Sequence, residues 1–360
     1  MVVLRHGATT VAPTLEHVTR YDLDRPALGR VVEEIDPGGP GYRVAQLWDG
    51  LHRRLLDPDE LTDLPRPMRV ALRDHPALAP ALSLDRVWET DGGLTSKWVW
   101  KLADGARIET VLMHYPGRST VCVSTQAGCA MACGFCATGQ AGFDRQLHVG
   151  EIVEQVTRAA RAAADVGRRV SRVVFMGMGE PLANYDATWL AVERFHDDLG
   201  LSARHLTIST VGIVPGIRRL ATEDLPVNLA VSLHAADDTL RDELVPINRR
   251  YPLAMLADAC AEYLAAKGRR LSFEWALIDG VNDRDVDAEN VAVFVRPLRA
   301  HVNLIPLNPT PGYPVLGSPA PRVRAFRDLL RQLGVNATVR QTRGREIDAA
   351  CGQLATRRSG

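Results

Sequence analysis

From about residue 119 the chain alternates short apolar runs with longer amphipathic ones, and this alternation restricts the fold more than any other feature. TVCVST, RVVFMG, HLTIST, NLAVSLH, SFEWALI, HVNLIPL and ATVRQT each read as a short strand. Segments of helical period lie between most of them. In residues 151–166, for example, Ile152, Val153, Val156, Ala159, Ala163 and Val166 share one face. Strands that are apolar on both sides must be covered on both sides, which predicts a parallel sheet wrapped by helices. About six such repeats predict an α/β fold of the partial (β/α)6 barrel type. In a barrel, residues just past the C-terminal end of each strand gather on one face and form the site. That selects Cys129, Cys133 and Cys136 after TVCVST, and residues 177–180 after RVVFM. It also selects Ser209 at the end of HLTIST, Ser232 and His234 at the end of NLAVSLH, and Asn308 after HVNLIPL.

The first third of the chain has a different texture. Residues 1–40 are rich in Pro and Gly without a sustained period, and an irregular lead is expected there. Residues 41–118 predict a small N-terminal accessory domain. It opens with a helical piece in which Val44, Leu47, Trp48 and Leu51 share a face, interrupted at Pro65 and Pro67. A β-rich extension follows: LSLDRVWET, LTSKWVWKL and ARIETVLM, the last two joined by Asp104-Gly105, a type I′ hairpin signal. The core barrel is then expected over 119–348 and a tail over 349–360.

Of the 360 residues, 46% are hydrophobic, enough to bury a sizeable core. No apolar run is long enough for a membrane span, and MVVLRHGATT lacks the apolar centre of a signal peptide, so a cytoplasmic location is expected. The formal net charge of zero removes the simplest argument for nucleic-acid binding. Of the 43 basic residues only Lys97, Lys101 and Lys267 are lysines, leaving 40 arginines. Arg249-Arg250, residues 340–345 and Arg357-Arg358 are candidate phosphate contacts, although each also reads as ordinary solvated charge.

Three of the six cysteines fall in GCAMACGFC with the spacing C-x3-C-x2-C. Soft thiolates on a strand-to-helix loop favour an iron–sulfur cluster or zinc. A zinc site would need a fourth ligand, for which His148 is the nearest candidate, and zinc sites usually carry a second pair of ligands. None is present. A cubane held by three cysteines instead leaves one iron open to a small molecule. The next strand leads into GMGEP, where glycines permit close backbone approach and Glu180 supplies a carboxylate for an ammonium. Cys260 lies on the apolar stripe Leu253, Leu256, Cys260, Leu264 and reads as core. Cys122 sits within a strand. Cys351, in RGREIDAACGQL beside Arg343 and Arg345, suits a mobile, partly exposed tail with a reactive thiol.

VCVSTQAGCAMACGFCATGQAGF, FMGMGEPLANY, LTISTVGIVPGI, AVSLHAADDTLRDELVPINRRY, NLIPLNPTPG and RGREIDAACGQL together resemble the RlmN/Cfr family of radical S-adenosylmethionine RNA methyltransferases, the RlmN branch most closely. YRVAQLW and LTDLP resemble parts of that family's small helical domain. The resemblance implies one 4Fe-4S cluster per chain on Cys129, Cys133 and Cys136. It implies S-adenosylmethionine bound by Gly179, Glu180, Ser209, Ser232, Leu233, His234 and Asn308, with two consumed per methylation. Cys351 would become S-methylated, Cys122 would later form a transient disulfide with it, and Glu109 would accept a proton. Taken alone, Glu109 reads as a solvated strand charge.

The implied target is C2 of an adenine in 23S ribosomal RNA and C2 of an adenine in the anticodon loop of transfer RNAs. The Cfr branch instead directs the methyl group to C8 of the same ribosomal adenine. C2 is electron-poor and has no lone pair, so polar displacement on S-adenosylmethionine fails there and a radical route is required. A flavodoxin or ferredoxin as electron donor, and a monomeric protein, complete what the resemblance implies.

Overall fold

The structure, a computed structural model, describes residues 18–310, 312–340, 344–350 and 352–354. Cys351, Arg343 and Arg357-Arg358 lie outside the described residues. The helical piece consists of α1 (Arg25–Ile35), α2 (Tyr42–His52) and α3 (Arg66–Asp74). Helix α1 stands where an irregular lead was expected. The Asp24 carboxylate caps it by accepting from the Ala27 N–H (2.7 Å), Pro26 occupies the first turn, and Leu28, Val31 and Val32 are buried. Leu28, Val31, Val32 and Ile35 do keep helical spacing, a two-turn stripe that the Pro- and Gly-rich texture of residues 1–40 hid. Pro67 falls in the first turn of α3, where the missing N–H has no partner to lose.

The extension is an antiparallel meander of β1 (Ser83–Thr90), β2 (Thr95–Lys101) and β3 (Arg107–Tyr115). Asp104 and Gly105 do join β2 to β3, but not as a type I′ turn. Gly105 has φ +83° whereas Asp104 does not have positive φ. The Asp104 carboxylate instead accepts from the Ala106 N–H (2.9 Å), and the Leu102 N–H donates to the Ala106 carbonyl (2.9 Å).

The remaining elements are β4 (Arg118–Cys122), β5 (Gln126–Gly128), α4 (Ala137–Ala141), β6 (Phe143–Gln146), α5 (Val149–Asp165), β7 (Val170–Phe175) and α6 (Tyr185–Asp197). They continue with β8 (Leu206–Thr210), α7 (Val214–Thr222), β9 (Asn228–Ser232), α8 (Asp238–Leu244), α9 (Leu253–Lys267) and β10 (Leu271–Leu277). Helix α10 (Asp285–Val295), β11 (His301–Pro306), α11 (Ala320–Gln332) and β12 (Asn336–Val339) complete the order. One ten-stranded sheet runs β1-β2-β3-β4-β7-β8-β9-β10-β11-β12, and from β4 onward every pairing in it is parallel. The order is linear with β1 and β12 at its edges, hence a partial barrel. Because β3 pairs with β4, the sheet passes through residue 118 without a break, and the meander is a continuation of the barrel wall.

Trp275, Phe273, Phe175 and Val231 of the parallel strands are buried, and helices cover them. Ile152, Val153, Val156, Ala159 and Ala163 of α5 pack inward as their period predicts. Val166 does not: it caps the helix and is 62% exposed. Cys260 is buried on α9, in the core.

Candidate active site

The cysteine loop is closed at its base by β5 and β6, which pair Gln126 with Gln146, Ala127 with Arg145 and Gly128 with Phe143. The Cys129 N–H donates to the Gly142 carbonyl (2.7 Å). A Cβ on Gly128, whose φ is +76°, would lie 2.1 Å from that carbonyl oxygen, so only glycine fits. Cys136 stands at the start of α4, its N–H donating to the Cys133 carbonyl (3.1 Å). All three cysteines line one cavity at the C-terminal ends of the parallel strands. Burial pushes the Cys129 thiol up to about 12, with further upward effect from Glu180 and Cys136, and pushes Cys133 up as well.

Three soft thiols on one short loop fit a cluster bound through three cysteines, and such binding must release their protons. Among the described residues no three His, Cys, Asp or Glu side chains gather as they would around a single metal ion. His148 is absent from the cavity lining. It occupies the N-cap of α5, and its N–H donates to Glu151 Oε2 (2.9 Å).

The turn after β7 supplies the opposite wall. A Cβ on Gly177 would meet the Val123 carbonyl oxygen at 2.5 Å, and one on Gly179 (φ +98°) would meet Gln126 Cβ at 2.5 Å. Both glycines therefore let the ends of β4 and β7 approach closely. Glu180 is buried, and its carboxylate accepts from the backbone N–H groups of Leu182 (3.0 Å) and Val211 (2.8 Å). Burial raises its pKa to about 7, against the opposing pull of these hydrogen bonds.

Ser209, Ser232, His234 and Asn308 line the same cavity. The Ser209 hydroxyl donates to the Phe175 carbonyl (2.5 Å). His234 adopts φ +60° and its Nδ1 accepts from the Ala276 N–H (2.9 Å), so the neutral ring carries its proton on Nε2. Burial, helped by Arg241, lowers its pKa to about 3, and the ring meets Phe135 edge-on at 4.7 Å. The Leu233 side chain is buried away from the cavity. Its N–H donates to the Glu274 carbonyl (3.0 Å).

Sequence reasoning missed Arg241. It lies on α8 at 0% exposure and donates to the carbonyls of Leu233 (3.1 Å), Val211 (2.7 Å) and Ser232 (3.2 Å) and to Asn248 Oδ1 (2.7 Å). It thereby ties the end of β8 to the end of β9. Flanked by Asp237, Asp238, Asp242 and Glu243, it carries no signal that separates it from a solvated charge.

The C-terminal segment contributes Gly352 and Leu354 to the cavity lining. The Ala137 N–H donates to the Gly352 carbonyl (2.8 Å), and the Thr138 hydroxyl donates to the Leu354 carbonyl. Cys122 packs beside this lining in an apolar patch with Val111, Met113, Met178, Leu354 and Ala349, residues that include neighbours of position 351 on both sides. Glu109 is not a solvated charge: it is 3% exposed and ion-paired with Lys97 at 3.2 Å. Neither Cys122 nor Glu109 lines the cavity. Arg340 does line it, whereas Arg249 and Arg250 are exposed elsewhere on the surface.

The sequence pattern of the Radical SAM superfamily matches residues 123–289. A probable dual-specificity RNA methyltransferase RlmN from Parafrankia sp. is 56% identical over 354 residues, spanning 93% of this chain and 90% of that protein. A probable dual-specificity RNA methyltransferase RlmN from Chloroflexus aurantiacus is 52% identical, spanning 96% and 94%. The chain belongs to the RlmN family. Its members combine a radical SAM domain with RNA methyltransferase activity, which implies a 4Fe-4S cluster and S-adenosylmethionine. The crystal structure of a radical SAM methyltransferase from Sphaerobacter thermophilus agrees in fold, with a TM-score of 0.89 at 48% identity over 94% of this chain and 99% of that one.

Proposed function

We propose that this RlmN-family chain methylates C2 of an adenine in 23S ribosomal RNA, and C2 of an adenine in the anticodon loop of transfer RNAs, with Cys351 as methyl carrier. One observation carries the reading: the cysteine loop, the Glu180 turn and the residues beside position 351 line a single cavity. Kinship with proteins named RlmN, at about half identity over nearly the whole chain, supports C2 as the position.

Cys129, Cys133 and Cys136 would hold the cluster. Glu180 would receive the methionine ammonium, Gly179 would admit it to the backbone, and Ser209, Ser232, Leu233 through its backbone, His234 and Asn308 would complete the cofactor site. The cluster and S-adenosylmethionine, when bound, supply one-electron cleavage chemistry and the methyl group. Cys351 Sγ accepts that methyl group, which would lose one hydrogen atom to the cofactor-derived radical and bond through its carbon to C2, the electron left after loss of the C2 proton returning to the cluster. Glu109 takes the C2 proton. The Cys122 thiolate attacks Cys351 Sγ; an S–S bond forms, the S–C bond breaks, and its electron pair leaves with the carbon, which gains a proton to become methyl. A cellular thiol reductant then restores both cysteines, which fits a cytoplasmic location.

Flavodoxin or ferredoxin is the proposed electron donor and the monomer the working state. Among the described residues no helix is long and apolar enough to cross a membrane. The test is to digest RNA methylated by the purified holoenzyme and compare it with standards. 2-Methyladenosine is the expected product, and 8-methyladenosine would overturn the C2 assignment. Peptide mapping of the expressed protein is expected to show an S-methyl group on Cys351.

A further inference from the structure

Lysine is seldom buried unless it is paired, yet Lys97 of β2 is only 5% exposed. Its ammonium lies 3.2 Å from Glu109 Oε2 and also donates to the Asp348 carbonyl at 3.2 Å. Trp88 of β1 offers its ring face to the same ammonium, 4.9 Å from the centroid. The register explains the first contact. Lys97 pairs with Val111 and Val99 with Glu109, so Lys97 and Glu109 are diagonal neighbours on one face of the meander. The second contact joins the meander to the segment leading into Cys351, 251 residues further along the chain.

That segment is built to be held. Asp348 is a non-glycine residue at φ +50°, directly after the 3-10 turn Arg345–Ile347. The Thr90 hydroxyl donates to Glu346 Oε2 (3.0 Å), and the Gly344 backbone comes so close to Thr95 that an added Cβ would lie 3.3 Å from its methyl carbon. Both Thr90 and Thr95 belong to the same meander as Lys97. A buried ion pair is a poor way to gain stability, because apolar residues of similar volume would do as well. What an apolar pair cannot do is hold a carboxylate and a carbonyl at fixed positions about one cation.

We propose that Lys97 is a positioning residue that fixes the Glu109 carboxylate relative to the C-terminal segment, so that proton acceptor and methyl carrier are set by one buried ammonium. This rests on the reading of Glu109 as the proton acceptor. Four variants test it: Lys97→Met, Lys97→Arg, Glu109→Gln and the double Lys97→Met/Glu109→Gln, each checked for iron content. Two quantities are measured: single-turnover release of methylated RNA, and amide hydrogen exchange of residues 344–350 without RNA.

Lys97→Met is expected to slow release at least about tenfold and to accumulate RNA attached to protein, as Glu109→Gln does. Lys97→Arg, which keeps the charge and the donors but not the compact shape, releases RNA at least about threefold faster than Lys97→Met. The double variant releases RNA no more slowly than Glu109→Gln alone, because both changes act on one step. Amides 344–350 exchange at least about fivefold faster in Lys97→Met and in the double variant, but not in Glu109→Gln.

Normal release by Glu109→Gln would overturn the proton-acceptor reading and this proposal with it. Slow release by Glu109→Gln with normal release by Lys97→Met would overturn the positioning role alone. Unchanged exchange over 344–350 would overturn the tie to Asp348. Should Lys97→Met not fold, the double variant, which leaves no unpaired buried charge, still decides through exchange and through its comparison with Glu109→Gln.

Discussion

The cysteine loop is closed at its base by a two-stranded hairpin and backed by the buried ends of β4 and β7, whereas the C-terminal segment that faces it is held by scattered contacts to the meander and to α4. In the first region backbone fits backbone so closely that Gly128, Gly177 and Gly179 admit no side chain. In the second, the described residues are held by the hydroxyls of Thr90 and Thr138, the Lys97 ammonium and the backbone hydrogen bond from Ala137 to Gly352. The difference matches what each part has to do. A cluster and its cofactor need fixed ligands. In the role proposed for it, Cys351 would take a methyl group from one partner and give it to another, and the described residues leading to it are fixed through side-chain contacts to the meander.

Changes on the two sides should therefore differ in size. Arg241→Met, on the rigid side, leaves the buried carbonyl of Leu233 and the half-buried carbonyls of Val211 and Ser232 without this donor. It is expected to lower stability by about 3–5 kcal/mol in urea unfolding, and a loss under about 1 kcal/mol would erase the contrast. Next comes the cofactor itself. The pKa of Glu180 is raised to about 7 by burial, so the neutral acid prevails below that pH and the carboxylate above it. An ammonium ligand needs the carboxylate, so S-adenosylmethionine affinity, measured by equilibrium dialysis, should rise about tenfold between about pH 6 and pH 8. A flat profile would remove Glu180 as the ammonium partner.

On the C-terminal side the effects should be smaller and local. Thr138→Val removes the donor to the Leu354 carbonyl. It is expected to cost about 1 kcal/mol and to speed amide exchange at residues 352–354 rather than across the barrel. Thr90→Val, at the exposed bond to Glu346, should stay within about 0.5 kcal/mol of the unaltered chain by thermal unfolding. A global loss from either would mean that the segment is part of the rigid body after all.

The parallel strands were legible because each is an apolar run bounded by polar or glycine residues, and the cysteine loop because its spacing is distinctive. Helix α1 was not, although Leu28, Val31, Val32 and Ile35 keep helical spacing, because the stripe is only two turns long and stands among Pro and Gly residues. The Asp104-Gly105 hairpin was found but its turn was mistaken, because an aspartate that accepts a local N–H competes with the positive φ that a type I′ turn requires. Lys97 and Arg241 were hidden for a shared reason: a charge in a strand or on an acidic helix reads as solvated until tertiary structure covers it. Lys97 did leave a trace. A lysine kept in a chain with 40 arginines, in a meander strand beside Trp98, is an unusual choice.

The central claim is that Cys122 resolves a covalent link between the residue 351 thiol and RNA. Incubating iron-loaded Cys122→Ala with S-adenosylmethionine, a reductant and RNA, then running a denaturing gel, measures that link directly. Protein with RNA attached, unaffected by heat or detergent and removed by ribonuclease, is the expected result. Free protein and free RNA alone, with iron content and S-adenosylmethionine binding intact, would contradict it.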